Sequence, residues 1–389
     1  MFLRNARHNE SESTVQITRI RAYRPQRFNP TFNQADMVVT VETDAGITGV
    51  GEGGSPEMLT QCAAMLIGED PGRIQHLWQV MYRGFFYPPG REKLHALGAL
   101  DLALWDIQGK RLGVPVYELL GGLTRDYVEC YSTGYPWQGS LADTARACLA
   151  AGFRSFRTAV ADPGDRVFDA RRMVDKTAAN CREVRAGCGP DGDWSIDFHT
   201  RLDMADAVRL CELIAELNPL FVEDPLRSEN PGALAMLRQQ VRVPLAVGEH
   251  FGDRWEVNEL IERHLIDYTR ITLPNVGGIT EWLKIAALCE THYVGMIPHF
   301  TGPIALAALV HVLASQATPA LMEIAGPAPA RPPHLPQGCE FRDGKLWPAA
   351  RPGLGVEFDP AGADMLLEID THSAPIPQFR RPDGSYTNW

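Results

Sequence analysis

From Val128 to Ile324 the chain repeats one phrase: a short apolar run, a polar turn, and a helical stretch of roughly three turns. The runs are Val128 to Ser132, Ser155 to Thr158, Trp194 to Phe198, Leu220 to Glu223, Leu245 to Gly248, Tyr268 to Thr272, Gly295 to Pro298 and Ala320 to Ile324. Helical patterns between them cover Leu141 to Ala151, Ala205 to Leu217, Ala233 to Gln240, Arg254 to Glu262 and Thr280 to Thr291. A strand that reaches the next one through a helix pairs with it in parallel, so the repeat predicts βα units. Eight strands suit a closed barrel.

The first part of the chain has another rhythm. Alternation runs from Val15 to about Ala45, with a strand at Met37 to Thr43, a turn at Asp44-Ala45-Gly46 and a second strand at Ile47 to Gly51. Helical patterns follow over Pro56 to Leu66, Arg73 to Tyr82 and Arg91 to Leu112. Within the last, Leu97, Leu100, Leu104 and Ile107 recur at helical spacing and read as core. Strands first and helices after predict a small α+β unit. After Gly326 comes a proline-rich stretch, Pro327 to Pro336, and a tail with too few helical signals for further barrel units. The expected organisation is a capping domain over residues 1–127, a barrel over 128–326, and a segment 327–389 that returns to the capping domain. A length of 389 residues suits a barrel of about 250 residues with a smaller partner.

Composition narrows the class. Hydrophobic residues at 45% and charged residues at 22% allow a large core. A formal net charge of −11 disfavours nucleic acid and anionic membranes as partners. The segment Met1 to Ser13 is polar, and no run of about 18 apolar residues follows, which predicts a cytoplasmic protein. The eight cysteines form no CxxC pair and read as reduced core thiols.

Barrels of parallel strands build their chemistry at the C-terminal strand ends. Asp197, Glu223 and Glu249 close three successive predicted strands at two equal intervals of 26 residues, one βα unit each. A lone strand-end acid is commonly a helix cap. Three in a row converge on one point, and crowded carboxylates need a cation; an all-oxygen ligand set favours Mg²⁺.

Asp197-Phe198-His199, Phe221-Val222-Glu223-Asp224-Pro225, Val247-Gly248-Glu249, Val276-Gly277-Gly278-Ile279-Thr280 and His299-Phe300-Thr301-Gly302-Pro303-Ile304 resemble consecutive barrel motifs of acid-sugar dehydratases in the enolase superfamily, mandelate racemase-like branch. Upstream, Ala103-Leu104-Trp105-Asp106-Ile107 and Leu119-Leu120-Gly121-Gly122 resemble that family's helix and its join to the barrel. The resemblance implies an α/β fold of (β/α)7β type, a modified TIM barrel under an α+β capping domain. It also implies a Mg²⁺-dependent lyase, a hydro-lyase that abstracts the C2 proton of a sugar acid through an enediolate, and a homo-oligomer.

His199 lies two residues beyond Asp197, on the same face of an extended segment. In the resembling dehydratases the matching histidine protonates the leaving hydroxyl. His299 ends the seventh predicted strand and is the expected base. In galactonate-type members that histidine pairs with an aspartate on the sixth strand, and here the matching position is Thr272. Asp267 precedes that strand and lies roughly 16 Å away by strand rise. Arg157 stands on the second strand where many members carry lysine, a fixed cation for a carboxylate or enediolate. The mannonate branch also has this arginine and adds a loop tyrosine as base, but Thr158 to Phe168 contains none. The chain thus mixes two branches.

Glu323 matches the family's substrate-contacting carboxylate, and His250 is a possible further contact that alternation points away from Glu249. Two segments are lid candidates: Arg24 to Asn33, and Tyr82 to Gly90 with Arg83 and Tyr87. The expected reaction is elimination of water from an aldonate or aldarate, giving a 2-keto-3-deoxy acid. The alternatives are an epimerase, racemase or cycloisomerase that returns the proton, and a noncatalytic metal-bound sugar-acid binding protein that has lost its base.

Overall fold

The computed structural model describes residues 15–25, 37–374 and 377–387 of the chain. Residues 26–33 of the first lid candidate lie outside them. Strands β1 (Ile17–Pro25), β2 (Val38–Thr43) and β3 (Thr48–Glu52) form an antiparallel sheet that packs on helices α1 (Pro56–Ala63), α2 (Ile74–Arg83) and α3 (Arg91–Leu112). The sheet meets α3 backbone to backbone: a Cβ on Gly51 would stand 1.8 Å from Ala99 O, and one on Gly49 2.1 Å from Ala103 O. Only glycine allows that approach. A short helix α4 (Val116–Leu119) leads to the barrel.

Between residues 128 and 326, all of them described, eight strands alternate with seven helices. In order these are β4 (Val128–Thr133), α5 (Leu141–Ala150), β5 (Ser155–Ala159), α6 (Ala170–Cys188), β6 (Asp193–Asp197), α7 (Met204–Ile214), β7 (Val222–Glu223), α8 (Pro231–Arg238), β8 (Leu245–Val247), α9 (Arg254–Glu262), β9 (Tyr268–Thr269), α10 (Ile279–Thr291), β10 (Gly295–Met296), α11 (Pro303–Ala314) and β11 (Met322–Ala325). Each strand from β4 to β10 pairs in parallel with the next, and β11 pairs in parallel with β4. Between β10 and β11 the ring is closed by Met296 N donating to Pro319 O at 2.8 Å and Leu321 N to Met296 O at 3.1 Å. This is the (β/α)7β barrel.

All eight predicted strands are present, although β7, β9 and β10 are two residues long in the ladder because the chain turns off early, as at Asp224 with φ +38°. Two helices had no clear signal in the sequence. Every residue of α11 from Ile304 to Ala314 is buried, so the helix is apolar all round and shows no polar face to set a period. Helix α6 begins where the Asp169 side chain accepts from Arg172 N, after a polar turn that hides its start.

The last segment serves both halves. Strands β12 (Glu340–Arg342) and β13 (Lys345–Trp347) form a hairpin whose second strand lies antiparallel to β4. Leu354 N then donates to Asp106 on α3 at 2.8 Å, and β14 (Ala363–Ile369) adds to the edge of the capping sheet against β1. The eight cysteines are free, seven of them buried. No helix among the described residues is long and apolar enough to cross a membrane.

Two carboxylates of the capping domain seat it on the barrel mouth. Glu52, at the end of β3, accepts from Ile304 N at 2.8 Å and Ala305 N at 3.0 Å, the first orphan donors of α11. Gly302 makes room, since a Cβ there would stand 1.9 Å from Glu52 Oε1. Asp101 of α3 accepts from Thr280 N of α10 at 3.0 Å, and Trp105 Nε1 donates to Thr280 Oγ1 at 3.0 Å. A stack of Trp78, Tyr82 and Trp255, with centroids 4.8 and 5.4 Å apart, ties α2 to α9. These helix N-termini open at the C-terminal ends of the strands, so the contacts hold the capping domain over that end.

Glu52→Ala would strand two buried N–H groups, at about 1–3 kcal/mol each. We expect a clearly lowered thermal unfolding midpoint, whereas Glu52→Gln keeps an acceptor and loses only the charge at the helix end, about 0.3–1 kcal/mol. Equal midpoints for both variants in a thermal melt would show that the cap contributes nothing.

Candidate active site

The floor of the site is a small apolar layer inside the barrel, made by Tyr131, Phe221, Ala246, Ile297 and Leu321. Above it, strand ends deliver charged side chains. Arg157 comes from β5, Asp197 from β6, Glu223 from β7 and Glu323 from β11, while Glu249, Arg270 and His299 follow β8, β9 and β10. Pleat alternation within β5 and β11, and the immediate turns after the others, aim these groups inward.

Arg157 is no surface cation. Its Nη1 lies 2.6 Å from Glu223 Oε2 and 3.1 Å from Asp197 Oδ2, its Nη2 lies 3.6 Å from Glu323 Oε1, and Thr133 Oγ1 accepts from Nε at 2.9 Å and Nη2 at 2.6 Å. A second guanidinium, which sequence reasoning missed, lies deeper. Arg270 is fully buried; its Nη2 lies 2.5 Å from Glu223 Oε1, 2.7 Å from Glu323 Oε2 and 3.5 Å from Glu249 Oε2, and its Nη1 donates to the Tyr131 hydroxyl and to Ile297 O and Pro298 O at 3.2 and 3.3 Å. One signal could have found it: an arginine inside the apolar run Tyr268 to Thr272 is tolerable only if buried carboxylates meet it.

The two guanidiniums link Asp197, Glu223 and Glu249 into one chain of ion pairs, with Glu323 bound by both. Asp224 is also buried here, and its Oδ2 has no hydrogen-bond partner. Were all five buried carboxylates ionised and the imidazoles neutral, the two guanidiniums would leave three formal negative charges. All-oxygen donors of this kind suit a divalent cation, but among the described residues the ligand atoms that come within 4.8 Å of one another are those of Asp224, Glu249 and His250. Asp197, Glu223 and Glu249 are bridged by the guanidiniums, which a cation at that expected trio would have to displace. Burial raises the Asp224 carboxyl well above its ordinary range, and Glu249, Glu223 and Asp197 push the same way. Burial also works to raise Glu323, but Arg270, Arg157 and His299 overrule it and hold this acid at about 2.

His199 reaches the cluster by a different route from the one alternation suggests. The strand has already ended at Asp197, and His199 and Thr200 adopt left-handed φ of 50° and 57°. That turn folds the ring back, with His199 N 2.6 Å from Asp197 Oδ1 and Nδ1 3.2 Å from Oδ2. The hydrogen bond to Asp197 raises the imidazole above its ordinary value against the effect of burial. His299 is buried; its Nε2 lies 3.6 Å from Glu249 Oε2, and burial pushes it down, with Glu249 opposing.

His299 Nδ1 and the buried hydroxyl of Thr272 each have no hydrogen-bond partner, so Thr272 does not take the place of a dyad aspartate. Asp267 lies at the other end of β9, accepting from Leu245 N at 2.8 Å and pairing with Arg238 at 2.9 Å.

His250 turns toward Glu249, not away. Strand β8 ends at Val247 and the chain bends at Gly248, where a Cβ would stand 2.8 Å from Ile271 N, so His250 Nε2 comes 3.5 Å from Glu249 Oε1. These residues border a cleft of about 410 Å³ whose other wall is the capping domain, with Ser55, Arg91 and His95. Arg83 and Tyr87 do not line it. Arg83 Nε donates to Gln79 Oε1 at 2.8 Å at the end of α2, and Tyr87 is 76% exposed, edge-on to Phe86.

Comparison with known proteins agrees with this architecture. The family described as "Mandelate racemase / muconate lactonizing enzyme, N-terminal domain" matches residues 14–121, and "Enolase C-terminal domain-like" matches residues 140–362. A protein named D-galactonate dehydratase from Ralstonia nicotianae is 36% identical over 400 residues, spanning 96% of this chain and 100% of the relative. Another of that name, from Verminephrobacter eiseniae, is likewise 36% identical, with 96% of this chain and 100% of the relative covered. Among solved structures, an enolase from Pantoea ananatis with bound D-gluconate and Mg superposes with a TM-score of 0.79 at 28% identity, covering 89% of this chain and 93% of that one. With both halves matched and the barrel closed around the acids at its strand ends, the chain belongs to the enolase superfamily, among the mandelate racemase and muconate lactonizing enzymes.

Proposed function

We propose that the chain removes water from a sugar acid, an aldonate or aldarate of the galactonate or mannonate kind, to give a 2-keto-3-deoxy acid. One observation carries the reading: His199 and His299 contact the carboxylate cluster from β6 and β10, four strands apart in a ring of eight. Two imidazoles on opposite sides of one site suit removal of a proton from one carbon and delivery of a proton to the hydroxyl on the next. The dehydratase relatives and the gluconate-bound neighbour support the substrate class.

Asp197, Glu223 and Glu249 would hold the cation, Mg²⁺, which when bound supplies electrophilic stabilisation for the enediolate of the substrate carboxylate. The chain's own residues divide the remaining work. His299, kept neutral by burial, takes the C2 proton. His199, whose hydrogen bond to Asp197 favours its protonated form, delivers a proton to the leaving C3 hydroxyl. Arg157 stays charged and sets a fixed positive potential beside the acids. Glu323, held ionised by two guanidiniums, serves as a hydrogen-bond acceptor for substrate and not as an acid. His250 borders the outer cleft with Arg91 and His95, where the distal hydroxyls would lie. Arg83 and Tyr87 would reach substrate only if the segment between α2 and α3 folded inward.

Incubating the protein with Mg²⁺ and a panel of aldonates and aldarates should yield 2-keto acid, and chelation should abolish it until Mg²⁺ is restored. Solvent deuterium entering C2 with no keto acid formed would instead make the enzyme an epimerase or racemase.

The two histidines should separate in their effects. His199→Asn is expected to lower turnover about 10²–10⁴-fold while leaving C2 deuterium exchange, and His299→Asn should lose both. Loss of exchange in His199→Asn and its survival in His299→Asn would reverse the assignment.

A further inference from the structure

Beside the carboxylates assigned to the first cation lies a second group of ligands. The carboxylate oxygens of Asp224 and Glu249 and a ring nitrogen of His250 lie within 4.8 Å of one another. Asp224 is buried, and its Oδ2 is closed to solvent with no hydrogen-bond partner. A buried carboxylate oxygen without a donor is costly unless something positive meets it. Here the nearby guanidiniums are engaged elsewhere: Arg157 with Glu223, Asp197 and Glu323, and Arg270 with Glu223, Glu323 and Glu249.

Glu249 faces both ways. Its Oε2 lies toward Arg270 at 3.5 Å and His299 at 3.6 Å, on the side of Glu223, while its Oε1 lies toward His250 Nε2 at 3.5 Å. One carboxylate thus presents an oxygen to each of two positions. We infer that Asp224, Glu249 and His250 form a second divalent-cation position next to the first, sharing Glu249, that takes a transition ion of the Mn²⁺, Co²⁺ or Zn²⁺ kind.

Charge supports it. With all five carboxylates ionised, two guanidiniums would leave three negative charges and a single divalent ion would leave the site at minus one; without a cation beside it, burial instead favours the neutral form of Asp224. A second ion turns the balance to plus one, complementary to one carboxylate. The ligand set sets the preference: an imidazole nitrogen with two carboxylates suits Mn²⁺, Co²⁺ or Zn²⁺, whereas Mg²⁺ favours oxygen donors alone. Entry is open, because His250 borders the cleft and its side chain is 39% exposed.

The test uses the full-length protein, stripped with chelator and titrated with Co²⁺, read by visible absorption and by calorimetry. Two ions per chain are expected. His250→Gln and Asp224→Asn should each lose one of them or weaken it at least about tenfold, while Asp197→Asn should retain the ion held by Asp224 and His250. Pulsed EPR of bound Mn²⁺ should show a ¹⁴N coupling that disappears in His250→Gln, a substitution at a partly exposed side chain that leaves the fold intact. The same stoichiometry, affinity and ¹⁴N coupling in both variants as in the unmodified protein would overturn the inference. Because the readout is binding of the metal alone, it is independent of whether sugar acids are dehydrated.

Discussion

Glu223 held between two guanidiniums is the interaction on which the barrel mouth depends. One oxygen meets Arg157 and the other meets Arg270, so a carboxylate buried at the end of a two-residue strand is charge-paired on both sides. Those same guanidiniums reach Asp197, Glu249 and Glu323, which allows four acids to be buried within one barrel. Removing either cation would leave buried carboxylates unpaired, a situation far more costly than any surface ion pair. The whole arrangement rests on the scaffold of strand ends.

The capping domain obeys the same electrostatic logic at a second level. Glu52 and Asp101 meet the N-termini of α11 and α10, where unpaired N–H groups and the helix dipole favour negative charge. Docking by carboxylate on helix end, reinforced by the Trp78, Tyr82 and Trp255 stack, places the N-terminal part of α3 above the acids. The cleft is therefore walled by two domains, with the cluster of acids on strand ends and the outer wall on a separate element.

How much of this was legible follows from what each signal measures. The eight strands could be read because a βα unit repeats its apolar run at near-constant spacing, and the acids of β6, β7 and beyond β8 because they fall one unit apart. Helix α11 was not legible, since periodicity detects a contrast between faces and this helix has none. Alternation places His199 beside Asp197, which it reaches by a turn and not by the pleat, and it points His250 away from Glu249, which it in fact approaches. Both lie beyond the last residue of a short strand, where turn geometry takes over from the pleat. Arg270 is hard to read from the sequence because the carboxylates that make it tolerable in an apolar run, Glu223 and Glu323, come from other strand ends.

Local periodicity and repeat length are enough to set the order of strands and helices, the parallel barrel and the spacing of three acids. Which charges meet is settled by the folded chain. Arg157 on β5 and Arg270 just beyond β9 are distant in sequence from several of their partners, Glu323 joins them from the closing strand, and Asp224 comes to Glu249 and His250 across neighbouring strand ends. Ring closure brings those groups together, and Coulomb interaction falls with distance through space, which no spacing along the chain records.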